Sequence, residues 1–212
     1  RHANTHTAGD LFWWVGNGIR GTAMPAFAAS LDEDERWDLI NYVRVLASAR
    51  KARRLASLVE DDAWLVAPDF AFGNTRGEAR TLREYRGERM VLLVLIDAGE
   101  AGRRWSELAR AASVLREAGV ETILVPRQKA GGGPLSQAGG GSPGMSLVIE
   151  GNSEIQATYS LLAAGFASEE PTHTEFLIDR QGYVRARWMA SDSDAWRDPA
   201  AIVVQARSEE HT

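Results

Sequence analysis

An α-helical segment followed by an α/β domain, with a central mixed sheet flanked by helices, is the fold class that the sequence predicts. Three observations carry it. Residues 1–50 hold two helix signals joined by a Gly- and Pro-containing loop. Met90–Ile96 is an unbroken apolar run of strand length bounded by polar residues, the pattern of a strand buried on both faces. Beyond it, helical and strand patterns succeed one another, which is the order of a sheet built from βαβ units.

The first helix is signalled by Gly9-Asp10-Leu11-Phe12-Trp13-Trp14, rich in aromatics. A loop, Gly21-Thr22-Ala23-Met24-Pro25-Ala26-Phe27, comes next. Pro25 fixes its own φ and biases Met24 toward an extended backbone, while Gly18 and Gly21 permit bends before it. Ser30-Leu31-Asp32-Glu33 reads as a capping box, with Ser30 as N-cap and Glu33 reaching back to it. The helix that follows carries an apolar stripe of Leu39, Ile40, Val43, Leu46 and Ala47. Asp32, Glu33, Asp34 and Glu35 crowd its start, and Arg50, Lys51, Arg53 and Arg54 follow the stripe, as the helix dipole favours. These basic residues read as a solvated helix end before a membrane-facing or partner-docking patch.

Taken together, the stretch from about His6 to Ala49 resembles the C-terminal half of a class I c-type cytochrome, whose loop places a Met before a Pro. The resemblance implies that Met24 is the distal axial ligand of a haem c iron, with Pro25, Trp13 and Trp14 forming its surroundings. A thioether paired with His is one way proteins raise the iron's potential. Core filling is the ordinary alternative for a Met. The family's Cys-x-x-Cys-His motif and first helix are expected upstream of Arg1, and neither His2 nor His6 lies in such a motif.

Composition narrows the classes. A formal charge of −5 gives no support to nucleic-acid binding, which calls for a clustered basic face. No apolar run approaches the ~20 residues of a membrane helix. With no Cys among its 212 residues, the chain offers no disulfide, thiolate metal site or thiol nucleophile. Residues 207–212 resemble a translated sequencing adapter and are set apart from the fold.

Residues 51–66 are expected to be a helix tail and linker, and 67–206 a second domain. After Met90–Ile96, residues 102–117 carry Trp105, Leu108, Ala112 and Leu115 at helical steps, and a second strand runs from Glu121 to Pro126. Residues 130–144 are Gly-rich but fit neither a P-loop nor a dinucleotide fingerprint, and read as a flexible surface loop. A strand from Met145 to Glu150 and a helix from about Ser153 to Ala164 follow. Strands at Phe176–Asp179 and Tyr183–Met189 then flank an Asp-Arg-Gln-Gly turn in which Gly182 takes positive φ. A helix from about Asp194 to Gln205 ends the domain.

Pro68-Asp69-Phe70, Arg80–Gly87, Met90–Ile96 and Pro171–Arg185 resemble a thioredoxin-like domain of the redoxin and Sco type. In that family the reactive Cys stands where this chain reads Asp97-Ala98-Gly99-Glu100-Ala101-Gly102, so thiol exchange and peroxide reduction are chemically closed to it. The resemblance aligns His173 with the usual cis-Pro position. Sco-type carriers use a His in this region with two thiolates, and without them His173 is a poor Cu(I) ligand. A loop histidine bonded to backbone is the plain reading. A Cu(II) site of Asp97, Glu100 and His173, drawn together by the strand ends, is the sharper one.

The two resemblances imply an electron carrier working with a redox partner protein, an oxidase or copper protein. A bacterial, periplasmic or periplasm-facing membrane-anchored location follows from them, as in cytochrome segments of copper-resistance membrane proteins. The alternative is a non-catalytic docking module or a Sco-like copper-binding domain. No nucleophile–base pair or carboxylate pair suggests an enzyme.

Overall fold

The computed structural model describes residues 6–52, 65–127, 142–164, 172–190 and 197–208. Two helices come first, α1 (Ala8–Asn17) and α2 (Glu33–Ala52). Thr7 caps α1: its Oγ1 accepts from Asp10 N at 3.1 Å, and Asp10 Oδ2 accepts from Thr7 N at 3.0 Å. Phe12 of α1 stacks on Trp37 of α2 at 4.5 Å, and the Arg36 guanidinium lies 4.5 Å from the Phe12 ring centroid.

The expected Ser30–Glu33 capping box is displaced by two residues. Asp32 Oδ1 accepts from Glu35 N at 2.8 Å, and Glu35 Oε2 accepts from Asp32 N at 2.9 Å. Ser30 instead closes the preceding turn, its N–H and its hydroxyl both donating to Phe27 O. The expected stripe is rotated as well. Ile40 and Val45 are buried and Trp37 is half-buried, whereas Leu39 and Val43 are exposed. The side of α2 that carries Trp37 and Ile40 is the one that meets α1 and the α/β unit.

The α/β unit contains β1 (Leu65–Val66), β2 (Ala71–Asn74), β3 (Ala79–Thr81), a 3-10 turn (Leu82–Tyr85), β4 (Met90–Ile96), α3 (Ala98–Glu117) and β5 (Val120–Pro126). These are followed by β6 (Met145–Glu150), α4 (Asn152–Ala164), β7 (His173–Ile178), β8 (Tyr183–Met189) and α5 (Pro199–Ser208). Among the described residues the strands form one eight-stranded sheet in the order β1-β8-β7-β4-β5-β6-β2-β3. β4 pairs in parallel with β5, and β5 with β6, while the remaining pairs are antiparallel.

β4 is buried along its whole length because its side chains alternate between two cores. Val91, Leu93 and Leu95 join Leu65, Phe72, Tyr85, Tyr159 and Phe176 on one face. Met90, Leu92, Val94 and Ile96 join Trp105, Leu108, Leu177, Trp188 and Ile202 on the other. α4 covers the first face and α3 and α5 the second. α2 packs on α4 and β1, and its Val45 belongs to the first core.

Several bounds differ from the sequence reading. The last two residues of the expected linker form β1, paired with Tyr183 and Val184 of β8, and Leu65 is buried. α3 begins four residues early, with Ala101 N donating to Asp97 O. β7 begins at His173, because His173 pairs with Ile96 along β4. α5 begins at Pro199, where Asp198 Oδ1 accepts from Ala200 N at 2.9 Å and a proline fits the first helical position. It runs through Ser208, into the segment set apart as a tail. The Gly-rich 130–141 stretch lies outside the described residues.

Candidate functional site

The C-terminal ends of β4 and β5, the start of β7 and the first turn of α3 meet at one edge of the sheet. Asp97 leaves β4 with its N–H donating to Thr172 O at 3.0 Å, and Arg127 leaves β5 with its N–H donating to Ile96 O at 2.8 Å. Asp97 Oδ1 and Arg127 Nε then pair at 2.9 Å. One turn into α3, exposed Glu100 pairs with Arg103.

Beneath this edge lies a buried charged network. Alternation along β7 turns His173, Glu175 and Leu177 to the α3 side of the sheet. There Arg104 of α3 holds Glu175 in a two-pronged pair, Nε to Oε1 at 2.8 Å and Nη2 to Oε2 at 3.0 Å. Arg104 Nη1 also donates to Glu107 Oε2 at 3.2 Å. His173 Nε2 lies 2.8 Å from Glu175 Oε1. His173 is therefore a buried strand residue whose ring meets a carboxylate, where a loop histidine was expected.

The expected Cu(II) set does not assemble. Asp97, Glu100 and His173 each face a different partner, Arg127, Arg103 and Glu175. Among the described residues no group of three His, Asp or Glu is placed to hold a metal ion. The physical reason is the early start of α3. It leaves Asp97 at the strand end, beside β5, and carries Glu100 a turn up an exposed helix face.

At the other predicted site, the chain from Gly18 to Ala28 folds back on the end of α1. Phe27 N donates to Val15 O at 3.0 Å, Ala28 N to Gly16 O at 3.2 Å and Ile19 N to Met24 O at 3.3 Å. Gly18 sits at φ +73°, and a Cβ there would meet Met24 O at 2.8 Å, so the loop closes only around glycine. Met24 is half-buried, its N–H donating to Thr22 Oγ1 at 3.2 Å, and Pro25 is exposed. Trp13 is 60% exposed, while Trp14 is half-buried with His6 edge-on at 4.6 Å.

Titration follows burial and hydrogen bonding. The Thr7 hydroxyl and N–H hold Asp10 below the usual carboxylate range. The pairing of Glu84 with Arg80 lowers Glu84 likewise. Burial pushes the Tyr159 phenol well up, with its hydroxyl donating to Pro68 O at 2.8 Å, and raises Asp179.

Sequence reading passed over Arg104 and Glu175. The available signal was a charged residue, Glu175, inside an otherwise strand-like Thr174–Ile178 run. Its partner stands 71 residues away.

No protein-family model matches the chain, and no curated protein matches it. Among solved structures it is similar to BsSco, a member of the Sco family of cytochrome c oxidase assembly proteins, at 15% identity and TM-score 0.52, covering 70% of this chain and 97% of that one. It is similar to the peroxidoxin BcpB from Mycobacterium tuberculosis at 15% identity and TM-score 0.52, covering 71% and 97%. Prx1a of Plasmodium yoelii is similar at 21% identity and TM-score 0.51, covering 69% and 90%. At these identities the likeness is one of fold and does not extend to a cytochrome c fragment. The chain has a thioredoxin-like α/β fold, a mixed sheet with helices on both faces.

Proposed function

We propose that this protein is a non-catalytic binding module, a thioredoxin-like domain that docks a redox partner protein through the edge formed by β4, β7 and the start of α3. One observation carries the reading. The position that supplies a thiolate in thioredoxin-like enzymes holds Asp97 and Glu100, each paired with an arginine, in a chain without cysteine. Thiol exchange needs a thiolate. A rim of two charged pairs, Asp97–Arg127 half-buried and Glu100–Arg103 exposed, suits recognition and orientation of a partner instead. The partner class is an oxidase or copper protein, and the setting is the bacterial periplasm or its membrane face.

The test combines an activity assay with a binding map. The protein is assayed for disulfide reduction and peroxide consumption, then titrated with a periplasmic copper-site protein while amide shifts are followed. Shifts centred on residues 97–103, weakened by Asp97→Arg, with no turnover in either assay, support the module. Turnover, or binding indifferent to Asp97→Arg, defeats it.

Copper at His173 does not fit. Its Nε2 is engaged by Glu175, and the adjacent Arg104 guanidinium opposes a second cation.

A second reading is favoured by the closed loop around Met24: haem ligation, in which the Met24 thioether would hold the iron, with Trp13 and Trp14 nearby. The half-buried Met24 in a loop pinned to α1 fits that role, and a bound haem would supply one-electron transfer. Met24 would set the field at the iron and the aromatic side chains would limit water. Haem titrated into the protein, giving a spectrum that changes in Met24→Ala, supports it. An unchanged spectrum overturns it. Under this reading residues 1–50 and 67–206 are separate units by origin, joined through 51–66.

A further inference from the structure

Two elements enter the docking edge from distant parts of the chain, the first turn of α3 and the start of β7. Two rungs join them. At the edge itself Asp97 N donates to Thr172 O at 3.0 Å, and deeper in the fold Arg104 and Glu175 form their two-pronged pair. From Asp97 to Arg104 is seven residues of α3, about 10.5 Å of helix rise. From Thr172 to Glu175 is three residues, about 10 Å of strand. The two spans match, so the buried pair closes only when Asp97 stands at the end of β4. A shift of α3 by one residue would move Arg104 by about 1.5 Å and turn it by about 100°. Both hydrogen bonds would then be lost.

Other contacts of this helix set its position less sharply. Ala101, Trp105 and Leu108 are buried against the sheet, but apolar contact is not directional. Asp97 occupies the N-cap position with an extended backbone, yet its side chain makes no cap hydrogen bond. Its carboxylate faces Arg127 instead. The start of α3 therefore lacks the side-chain cap that commonly fixes a helix boundary. From this arrangement we infer that Arg104 and Glu175 are positioning residues for the docking edge. Their pair sets the register of α3 against β7, and so places Asp97 beside Arg127 and Glu100 one turn above it. Apolar residues of similar volume would serve stability as well, whereas a two-pronged charged pair adds geometric definition. The functional consequence rests on the docking reading: an edge ordered beforehand loses less freedom when a partner binds.

The test compares the parent, Arg104→Met/Glu175→Leu and Glu175→Gln by amide hydrogen exchange, and by titration with the periplasmic copper-site protein. The edge amides are those of Asp97, Glu100 and Ala101, and the reference amides are those of Ala118 and Gly119 at the far end of α3. In the double variant the edge amides should exchange at least about tenfold faster, the scale of a lost hydrogen bond to a charged group. The reference amides should keep the parent rate. Glu175→Gln, which retains one carbonyl oxygen for Arg104, should fall between the two. Parent-rate exchange at the edge overturns the inference, and so does an equal rise at the edge and reference amides, the mark of general loosening. If the double variant fails to fold, Glu175→Gln decides by the same criteria. The titration separates this inference from the docking reading. Faster edge exchange with unchanged affinity supports the positioning role and defeats docking at this edge. Parent-rate exchange defeats the positioning role whatever the affinity.

Discussion

Arg104 and Glu175 join α3 to β7 through two parallel hydrogen bonds of 2.8 and 3.0 Å, with side-chain exposures of 2% and 0%. Removing one partner from such a pair strips the other buried charge of its principal counter-charge, with only Glu107 beside Arg104 or His173 beside Glu175, which costs up to about 3–5 kcal/mol. Arg104→Met alone and Glu175→Leu alone should each destabilise the protein by that order. The double variant should recover most of the loss, since apolar groups of similar volume need no solvation. Urea denaturation of the four proteins checks this. Single variants within 1 kcal/mol of the parent, on the scale of an exposed pair, would show that the pair is hydrated in solution.

Asp179 supplies a pH dependence of unusual sign. Burial raises its pKa above the ordinary 3.8, against backbone N–H groups from Tyr183, Gln181 and Gly182 and the charge of Arg185. A carboxyl raised on folding binds its proton more readily in the folded chain, so its contribution to stability falls as pH rises through the window above 3.8. Asp179→Asn keeps an acceptor oxygen for Tyr183 N and removes that slope. The difference in melting temperature, variant minus parent, should grow from the acid side of the window toward neutrality. A difference that stays flat across that range contradicts the assignment. Asp10 and Glu84, lowered by the hydrogen bonds of Thr7 and Arg80, act in the opposite sense, since their contribution is present above the ordinary carboxylate value and is lost on acidification.

Gly18→Ala should open the Met24 loop. The φ of +73° with ψ of 177° is a region essentially reserved for glycine, and costs a Cβ-bearing residue about 1–3 kcal/mol. The contact with Met24 O at 2.8 Å forces the backbone apart as well, for roughly 1–3 kcal/mol more. Faster hydrogen exchange at Ile19 and Phe27, whose amides close the loop, is the expected signature. Exchange at the parent rate would mean that the loop tolerates the methyl group.

Val45 and Leu65 test whether the N-terminal helices and the sheet unfold together. Both side chains lie in the same core as Phe176 and Tyr159. Leu65→Ala should cost about 2–5 kcal/mol, and Val45→Ala less because fewer methyl groups are lost. Each should lower one shared thermal transition. Two transitions, of which Val45→Ala moves only the first, would show that α2 unfolds separately.

Much of the sheet was legible because its signals are local. Met90–Ile96 has the composition and length of a strand buried on both faces, and Gly182 marks a turn that it closes at φ +89°. The hairpin of β2 and β3 was not legible. Ala71-Phe72-Gly73-Asn74 has no strong alternation, and its pairing comes from β6, more than seventy residues away in sequence. β1 escaped notice for the same reason, since two residues become a strand only when β8 lies beside them. The α2 cap failed differently, because two overlapping boxes compete and the turn at Phe27 takes up Ser30. At the candidate site, topology was enough to bring Asp97 and His173 to one edge. Which way their side chains turned depended on Arg127 and Glu175, whose positions only the folded chain supplies.

The two outer strands of the sheet are its shortest, β1 with two residues and β3 with three. Strand-by-strand growth into fibrils starts from a long unpaired edge, and short edges deny it a template. An all-but-continuous apolar strand such as β4 would be a strong fibril seed if exposed. Here it lies at the centre, between β7 and β5. The fold thus keeps its most aggregation-prone segment as far as possible from the places where another chain could add to the sheet.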